Sequence, residues 1–224
     1  PTAGDIPEHM MVWLPDERVL MTGDLLGGTF PYVESARYEP DREPSAMAAS
    51  LDLALSLNPK SVVPGHGRLL VGAADVTENL TLNRDLIQYL VDQVDRMVIK
   101  GMNADQLVES FTLPKVFAEH PDLQPHYHRV EWMLRGMFMK RAGWNGDIVD
   151  LVGLGERRES ARLIELLGGT APVLDTVRDA LAEGEFRWAA GLADRVLQVD
   201  PGNAEAQQLF MAALHKIAVQ TDSA

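Results

Sequence analysis

The sequence contains no cysteine, and this absence excludes two kinds of chemistry. Neither a disulfide framework nor a thiolate nucleophile can form, so any metal site has to be built from His, Asp and Glu side chains. The lack of cysteine fits a cytoplasmic protein and a periplasmic protein equally well. Composition therefore leaves the compartment open.

The sequence also lacks any apolar run near the roughly 20 residues of a membrane-spanning helix. Positive charge is scarce: 20 Lys and Arg face 33 Asp and Glu, a net charge of −13. Long-range repulsion then argues against nucleic acid and anionic membranes as partners. A small anionic substrate stays possible, because a bound metal reverses the charge locally. The hydrophobic content of 46% is enough for a sizeable core.

The first 72 residues have the pattern of an α/β region. Residues 9–23 read as a β-hairpin around a polar turn, and 26–44 as a long loop rich in Gly, Pro and charge. Residues 45–57 have helical spacing, and 61–64 form a short apolar strand followed by Gly-His-Gly. Helix, strand and loop in this order predict the edge of an α/β sandwich.

The rest of the chain is predicted to be all-α. A long helix spans 75–100, and nearly everything after residue 147 reads as helices separated by Gly and Pro. Residues 171–218 resemble a tetratricopeptide-type hairpin, with small residues where helices would cross. About three such repeats are needed to bury their faces, and there are fewer here. We therefore expect this module to pack on something else, such as a partner subunit.

Three side chains are candidates for metal chemistry: Asp5, Asp24 and His66. Asp24 follows the apolar run VLMTG, and His66 follows SVVPG, so both are expected at strand ends beside glycines. His and carboxylates are the natural ligands of Zn²⁺. Each residue alone also fits an ordinary role, as a turn residue, a loop histidine or a cap. The residues by themselves favour these ordinary roles.

Two stretches together resemble a known family. TGD after a hairpin and VVPGHG after one helix are similar to the second half of the metallo-β-lactamase fold. The helical remainder, with LLGG at 166–169 and WAAGLADRVLQVDPGNAEAQQL, is similar to the dimerisation domain of alkyl sulfatases with that fold. The resemblance implies the second half of an αββα catalytic domain over residues 1–72. A helical, tetratricopeptide-like dimerisation domain would then follow over 73–224, and with it a homodimer.

The resemblance also implies a site and a reaction. Asp24 would bridge two Zn²⁺ or similar ions, Asp5 would bind the first ion and His66 the second. The family usually has Glu at both carboxylate positions, and Asp is one methylene shorter. The implied reaction is hydrolysis of an ester by a metal-activated hydroxide, and the family name makes a sulfate ester the particular case. Asp24 would then be the catalytic residue of this chain.

The substrate pocket departs further from the family. Arg37 and Arg42 could clamp an anion, and Tyr127 could line the pocket, although ordinary loop and packing roles are the alternatives. The family's Ser-His-Asn stretch, which helps to hold the sulfate, is replaced at 131–133 by Glu, Trp and Met. Metal-dependent hydrolysis of a small-molecule substrate is thus better supported than sulfatase activity.

The family's first metal motif, His-x-His-x-Asp-His, does not occur in this sequence. We expect it upstream of Pro1 or on another chain, and we expect this chain alone to be inactive, because it supplies only part of the ligands. Two alternatives stay open. One is a true alkyl sulfatase that releases inorganic sulfate, and the other is a non-catalytic dimerisation or scaffold module.

Overall fold

The computed structural model divides the chain into two compact units, Pro1–Asp147 and Ile148–Ala224. The described residues are 2–4, 6–34, 41–126 and 129–220. A small sheet lies in the first unit, and the second unit is helical. This confirms an α/β region followed by helices. The predicted domain boundary at residue 72 rests on the family resemblance. The two units are defined by compactness instead, so they do not test that boundary, and it stays a prediction.

The sheet has four strands in the order β1-β2-β3-β4. They are β1 (Val12–Leu14), β2 (Val19–Gly23), β3 (Ser61–Pro64) and β4 (Leu70–Val71). The outer pairs are antiparallel, and the central pair, β2 with β3, is parallel. The predicted hairpin and the strand at 61–64 are confirmed. The two-residue β4 was not predicted, since so short a segment has no visible alternation.

Among the described residues of the first unit, five helices accompany the sheet. They are α1 (Pro44–Ser56), α2 (Ala73–Ile99), α3 (Ala104–Ser110), α4 (Lys115–Ala118) and α5 (Val130–Ala142), with a 3₁₀ turn at Pro121–Leu123. α2 packs on α1 and α5. One hydrophobic core joins the sheet to these helices, and its fully buried members include Leu20, Val62, Leu51, Leu80 and Leu90.

Local sequence explains where several helices begin and end. Asn103 caps α3 and forms a reciprocal capping box with Gln106, which satisfies two backbone N–H groups at the helix start. α5 ends at Gly143, whose φ of 81° lies in the left-handed region that glycine adopts without strain.

The second unit consists of α6 (Ile148–Val152), α7 (Glu156–Leu166), α8 (Thr170–Glu183), α9 (Phe186–Val199) and α10 (Ala204–Gln220). The last three pack on one another, and α7 packs on α9. Small side chains are fully buried in this core, among them Ala189, Ala193, Ala206 and Ala213. Small residues permit close helix approach, as predicted, while the tetratricopeptide likeness stays a prediction. Along the described residues, no helix combines the length and the apolar character needed to cross a bilayer.

Candidate metal centre

The parallel strands β2 and β3 bring two predicted ligands together. Asp24 follows the last residue of β2, and His66 lies just beyond the end of β3. Because neighbouring parallel strands end at the same edge of a sheet, both side chains emerge there. His66 Nδ1 donates a hydrogen bond to Asp24 Oδ1 over 2.6 Å. The strand ends are themselves joined, since Gly65 N donates to Gly23 O over 2.8 Å.

Glycines make this close approach possible. A Cβ atom at Gly65 would lie 2.0 Å from Asp24 Oδ1, a distance that no side chain can accept. The backbones of Gly28 and Gly67 are in close contact: a Cβ on Gly67 would lie 2.8 Å from Gly28 Cα. Their φ angles of 62° and 87° favour glycine in any case. The loops that follow the two strands thus pack backbone against backbone.

The Asp24–His66 pair faces solvent. The side chain of Asp24 is 46% exposed and that of His66 is 76% exposed. Side chains with this exposure have few packing contacts to fix their rotamers. Their orientation therefore depends on the backbone of the two loops and on the hydrogen bond between them.

The donor types suit a zinc-like ion, but the described residues supply only part of a coordination shell. Structural and catalytic zinc sites use three or four protein ligands. Within the described ranges, no group of three or more His, Asp or Glu side chains lies close enough to hold a metal ion. The third predicted ligand, Asp5, lies outside the described residues. The metal roles of all three residues stay predictions.

Arg42, a predicted substrate residue, is only 6% exposed. Its Nη1 donates to Tyr32 O over 2.7 Å, and its guanidinium carbon lies 4.4 Å from the centre of the Tyr32 ring. These contacts join Arg42 to Tyr32, and a role of Arg42 in substrate binding stays a prediction. Arg37 and Tyr127, the other predicted substrate residues, lie outside the described residues.

His9 occupies a position that the sequence did not indicate. Its Nε2 donates to Thr22 O over 2.7 Å. A Cβ at Gly4 would lie 2.5 Å from the His9 ring, and one at Gly23 would lie 3.0 Å from it. These two glycines directly precede the two predicted carboxylate ligands. No sequence signal pointed to His9, because its contacts come from the folding of the segment before β1.

Arg68, next but one after His66, is held by two carboxylates. Its Nη2 lies 2.7 Å from Asp75 Oδ1 and 2.8 Å from Asp122 Oδ2. The hydrogen bonds that Arg68 donates, first to Asp75 and then to Asp122, hold the pKa of its guanidinium above the ordinary value. The hydrogen bond from Arg68 holds the pKa of the Asp75 carboxyl below its ordinary value. Asp122 is 54 residues from Arg68, so sequence spacing could not reveal this pair.

A comparison with known protein families identifies the helical part of the chain. Residues 103–224 match the family model described as alkyl sulfatase dimerisation. The chain belongs to the alkyl sulfatase family. The resemblance to the alkyl sulfatases drawn from the sequence is thereby confirmed, and the metallo-β-lactamase fold of residues 1–72 stays a prediction.

Individual relatives agree with this assignment. A linear primary-alkylsulfatase from a Pseudomonas species is 36% identical over 199 residues, which are 88% of this chain and 38% of that protein. An alkyl/aryl-sulfatase from Saccharomyces cerevisiae is 22% identical, over 98% of this chain and 34% of that protein. This chain thus spans a little over a third of the length of these curated relatives.

A solved structure confirms the fold. The stereoselective inverting sec-alkylsulfatase Pisa1 from a Pseudomonas species superposes with a TM-score of 0.90 at 24% sequence identity. The match covers 98% of this chain and 36% of that one. The small sheet followed by helices is therefore the arrangement found in an alkyl sulfatase.

Proposed function

We propose that this chain is part of a metal-dependent hydrolase that cleaves an ester, with sulfate esters as the class that its relatives' names indicate. The observation that carries the proposal is the 2.6 Å contact between Asp24 and His66 at adjacent strand ends. In the resemblance drawn from the sequence, these residues correspond to metal ligands in the second half of a metallo-β-lactamase αββα sandwich. Membership in a family of sulfate-ester hydrolases supports the same reaction class.

Asp24 and His66 each have a second polar atom beside the one used in their mutual hydrogen bond. The bond joins Nδ1 to Oδ1, and a lone pair on His66 Nε2 or Asp24 Oδ2 can bind a metal ion. Two bound Zn²⁺ ions would lower the pKa of a shared water and polarise the ester. Asp24 would bridge the ions, His66 would bind one, and Asp5 would bind the other. The remaining ligands would come from a His-x-His-x-Asp-His motif outside this sequence.

On the substrate side, Arg37 is the better candidate for holding an anionic group. Arg42 uses its guanidinium to bind Tyr32 within the same loop. A buried arginine that is engaged in this way positions the loop backbone. Arg37 and Tyr127 remain the residues proposed to meet the substrate.

We also propose that the protein is a homodimer and that α6 contributes to the interface. In the second compact unit, all of α6 is exposed, although four of its five residues are large and apolar. Ile148, Val149, Leu151 and Val152 are between 62% and 77% exposed. A contiguous apolar patch of this kind marks an interaction surface, and the family model that covers α6 is a dimerisation model.

The proposed hydrolysis is tested on the protein as its gene encodes it. Zinc content is measured by mass spectrometry, and release of inorganic sulfate is measured with a long-chain alkyl sulfate. We expect bound zinc in the parent and loss of both zinc and hydrolysis in Asp24→Ala and His66→Ala. Asp52→Ala, on α1, is a control for removing an exposed carboxylate and should keep both. If Asp24→Ala and His66→Ala retained zinc and hydrolysis, the site assignment would be wrong.

The zinc measurement, together with assays on carboxylic and phosphate esters, separates two other functions. Hydrolysis of carboxylic or phosphate esters without sulfate release would identify a hydrolase of another ester class. A parent protein without zinc would favour a dimerisation or scaffold module. The scaffold alternative draws its support from the described residues, which bring only two metal-type donors together.

A further inference from the structure

The short segment 120–124 contacts both loops that carry the proposed ligands. The loop after Asp24 reaches it through Phe30, whose N–H donates to Gln124 O over 3.1 Å. Thr29 Oγ1 donates to the same carbonyl oxygen over 2.5 Å. One acceptor, Gln124 O, therefore holds the end of the Asp24 loop through two donors.

The loop that carries His66 reaches the same segment through Arg68. Arg68 donates to Asp122 Oδ2 from both Nε, over 3.2 Å, and Nη2, over 2.8 Å. The other side of the guanidinium forms a second fork with Asp75 on α2, over 2.7 and 2.8 Å. Charge-assisted bonds in paired geometry fix direction as well as distance. Arg68 thus ties the His66 loop to two different elements.

Segment 120–124 is itself tied down by local hydrogen bonds. Asp122 N donates to His120 Nδ1 over 3.2 Å. Gln124 Nε2 donates to His120 O over 2.7 Å and to Ala118 O over 3.1 Å. An anchor with its own internal bonds can hold a loop at a defined position.

We propose that Arg68 and Asp122 are positioning residues for the Asp24–His66 pair, an inference that rests on the proposed function. Neither contacts the pair directly. Their ion pair holds the His66 loop against segment 120–124, and the same segment holds the Asp24 loop through Gln124 O. The Gly28–Gly67 contact then sets how closely the two loops approach. Because the pair is exposed, this loop geometry replaces the packing that would otherwise orient the ligands. Asp122 lies within residues 103–224, so the part matched to the dimerisation model helps to build the site.

The experiment compares matched pairs of variants of the full protein. Asp122→Asn and Arg68→Lys keep side-chain size while removing the carboxylate charge or the guanidinium fork. Asp52→Asn and Arg84→Lys are the controls, because Arg84 Nη1 and Asp52 Oδ1, 3.1 Å apart, join α2 to α1 in the same compact unit. A general loss of ion pairing would affect both sets alike.

The first measurement needs no metal. Amide hydrogen exchange at Gly65 reports the bond from Gly65 N to Gly23 O at the site. Loss of one anchoring ion pair should speed this exchange about fivefold in the Arg68 and Asp122 variants, with no change in the controls. Unchanged exchange at Gly65 in both Arg68→Lys and Asp122→Asn would overturn the positioning role, whether or not the protein binds zinc.

The second measurement is zinc affinity by calorimetry. Loss of residues that orient metal ligands typically weakens binding about 10- to 100-fold, and we expect that range for Arg68→Lys and Asp122→Asn. The controls should stay within about twofold of the parent. Equal affinity in all five proteins would contradict the positioning role while leaving the metal site intact. A parent that binds no zinc would instead contradict the proposed function, and the exchange at Gly65 would still decide the role of Arg68.

Discussion

Gly65 stands so close to Asp24 that a methyl group on its Cα would lie 2.0 Å from Asp24 Oδ1. The same methyl group would come within 2.8 Å of the Gly23 carbonyl carbon. The absence of a side chain at position 65 is therefore a condition for the Asp24–His66 contact. It connects the Pro-Gly-His-Gly stretch of the sequence to the geometry of the site.

Gly65→Ala should accordingly damage both stability and the site. Overpacking of this kind costs about 1–3 kcal/mol, and the backbone shift that relieves it would separate His66 from Asp24. The free energy of unfolding, measured in urea, and the affinity for zinc should both fall. Gly191→Ala, in the middle of α9 with no atom within 4 Å of the added Cβ, is the control and should stabilise its helix by about 0.5–1 kcal/mol. A Gly65→Ala protein with parental zinc affinity would show that the pair is not a binding site.

Asp75 should make stability depend on acid pH. Its pKa is lowered in the folded protein by the hydrogen bond from Arg68. The stabilisation is thus complete above the ordinary value of 3.8 and is lost as pH falls below it towards the folded-state pKa. The free energy of unfolding in urea is measured for the parent and for Asp75→Asn at pH 7 and near pH 3. Between these pH values it should fall less in the variant than in the parent. Equal losses in both proteins would mean that this ion pair does not stabilise the fold.

Arg42 and Arg37 should have different roles: Arg42 should stabilise the fold, and Arg37 should bind the substrate. Arg42→Ala removes this part-buried hydrogen bond to Tyr32 O, which should cost about 0.5–1.5 kcal/mol of unfolding free energy. Arg37→Ala should raise KM for an anionic ester and change stability little. Steady-state kinetics of both variants measures KM, and thermal unfolding measures stability. If Arg42→Ala raised KM without any loss of stability, Arg42 would be a substrate-binding residue and this prediction would be wrong.

The proposed dimer face on α6 is tested by placing a charge on it. Val152→Glu buries an unpaired carboxylate in any interface formed there, so the dissociation constant of the dimer should rise at least about tenfold. Sedimentation velocity measures the change. Ile99→Glu, on an apolar side chain that is 83% exposed at the end of α2, is the control and should leave the assembly unchanged. An unchanged dimer in Val152→Glu would place the interface elsewhere.

Local sequence patterns were sufficient for some features of the site. Apolar runs ending in Gly-Asp and Gly-His-Gly place Asp24 and His66 at strand ends, because strands and their breakers leave short-range signals. The adjacency of the two strands is different. β2 and β3 pair in parallel across an intervening helix, and parallel pairing depends on how the whole region folds. The family resemblance implied that Asp24 and His66 belong to one site, which local spacing alone does not indicate.

The bonds that surround the site were beyond sequence reasoning for the same reason. Arg68 and Asp122 are 54 residues apart, and Thr29 and Gln124 are 95 apart. His9 bonds the backbone carbonyl of Thr22, and the position of a backbone carbonyl cannot be inferred from residue type. The contact of Arg42 with the Tyr32 ring is a further case, because residue type alone does not reveal it.

The most direct test of the central claim is a crystal structure of the protein as its gene encodes it, with anomalous data recorded at the zinc edge. The account predicts an anomalous peak about 2.0–2.2 Å from a carboxylate oxygen of Asp24 and from a ring nitrogen of His66. A fully zinc-loaded crystal with its peaks elsewhere, and with Asp24 still bonded only to His66, would contradict it.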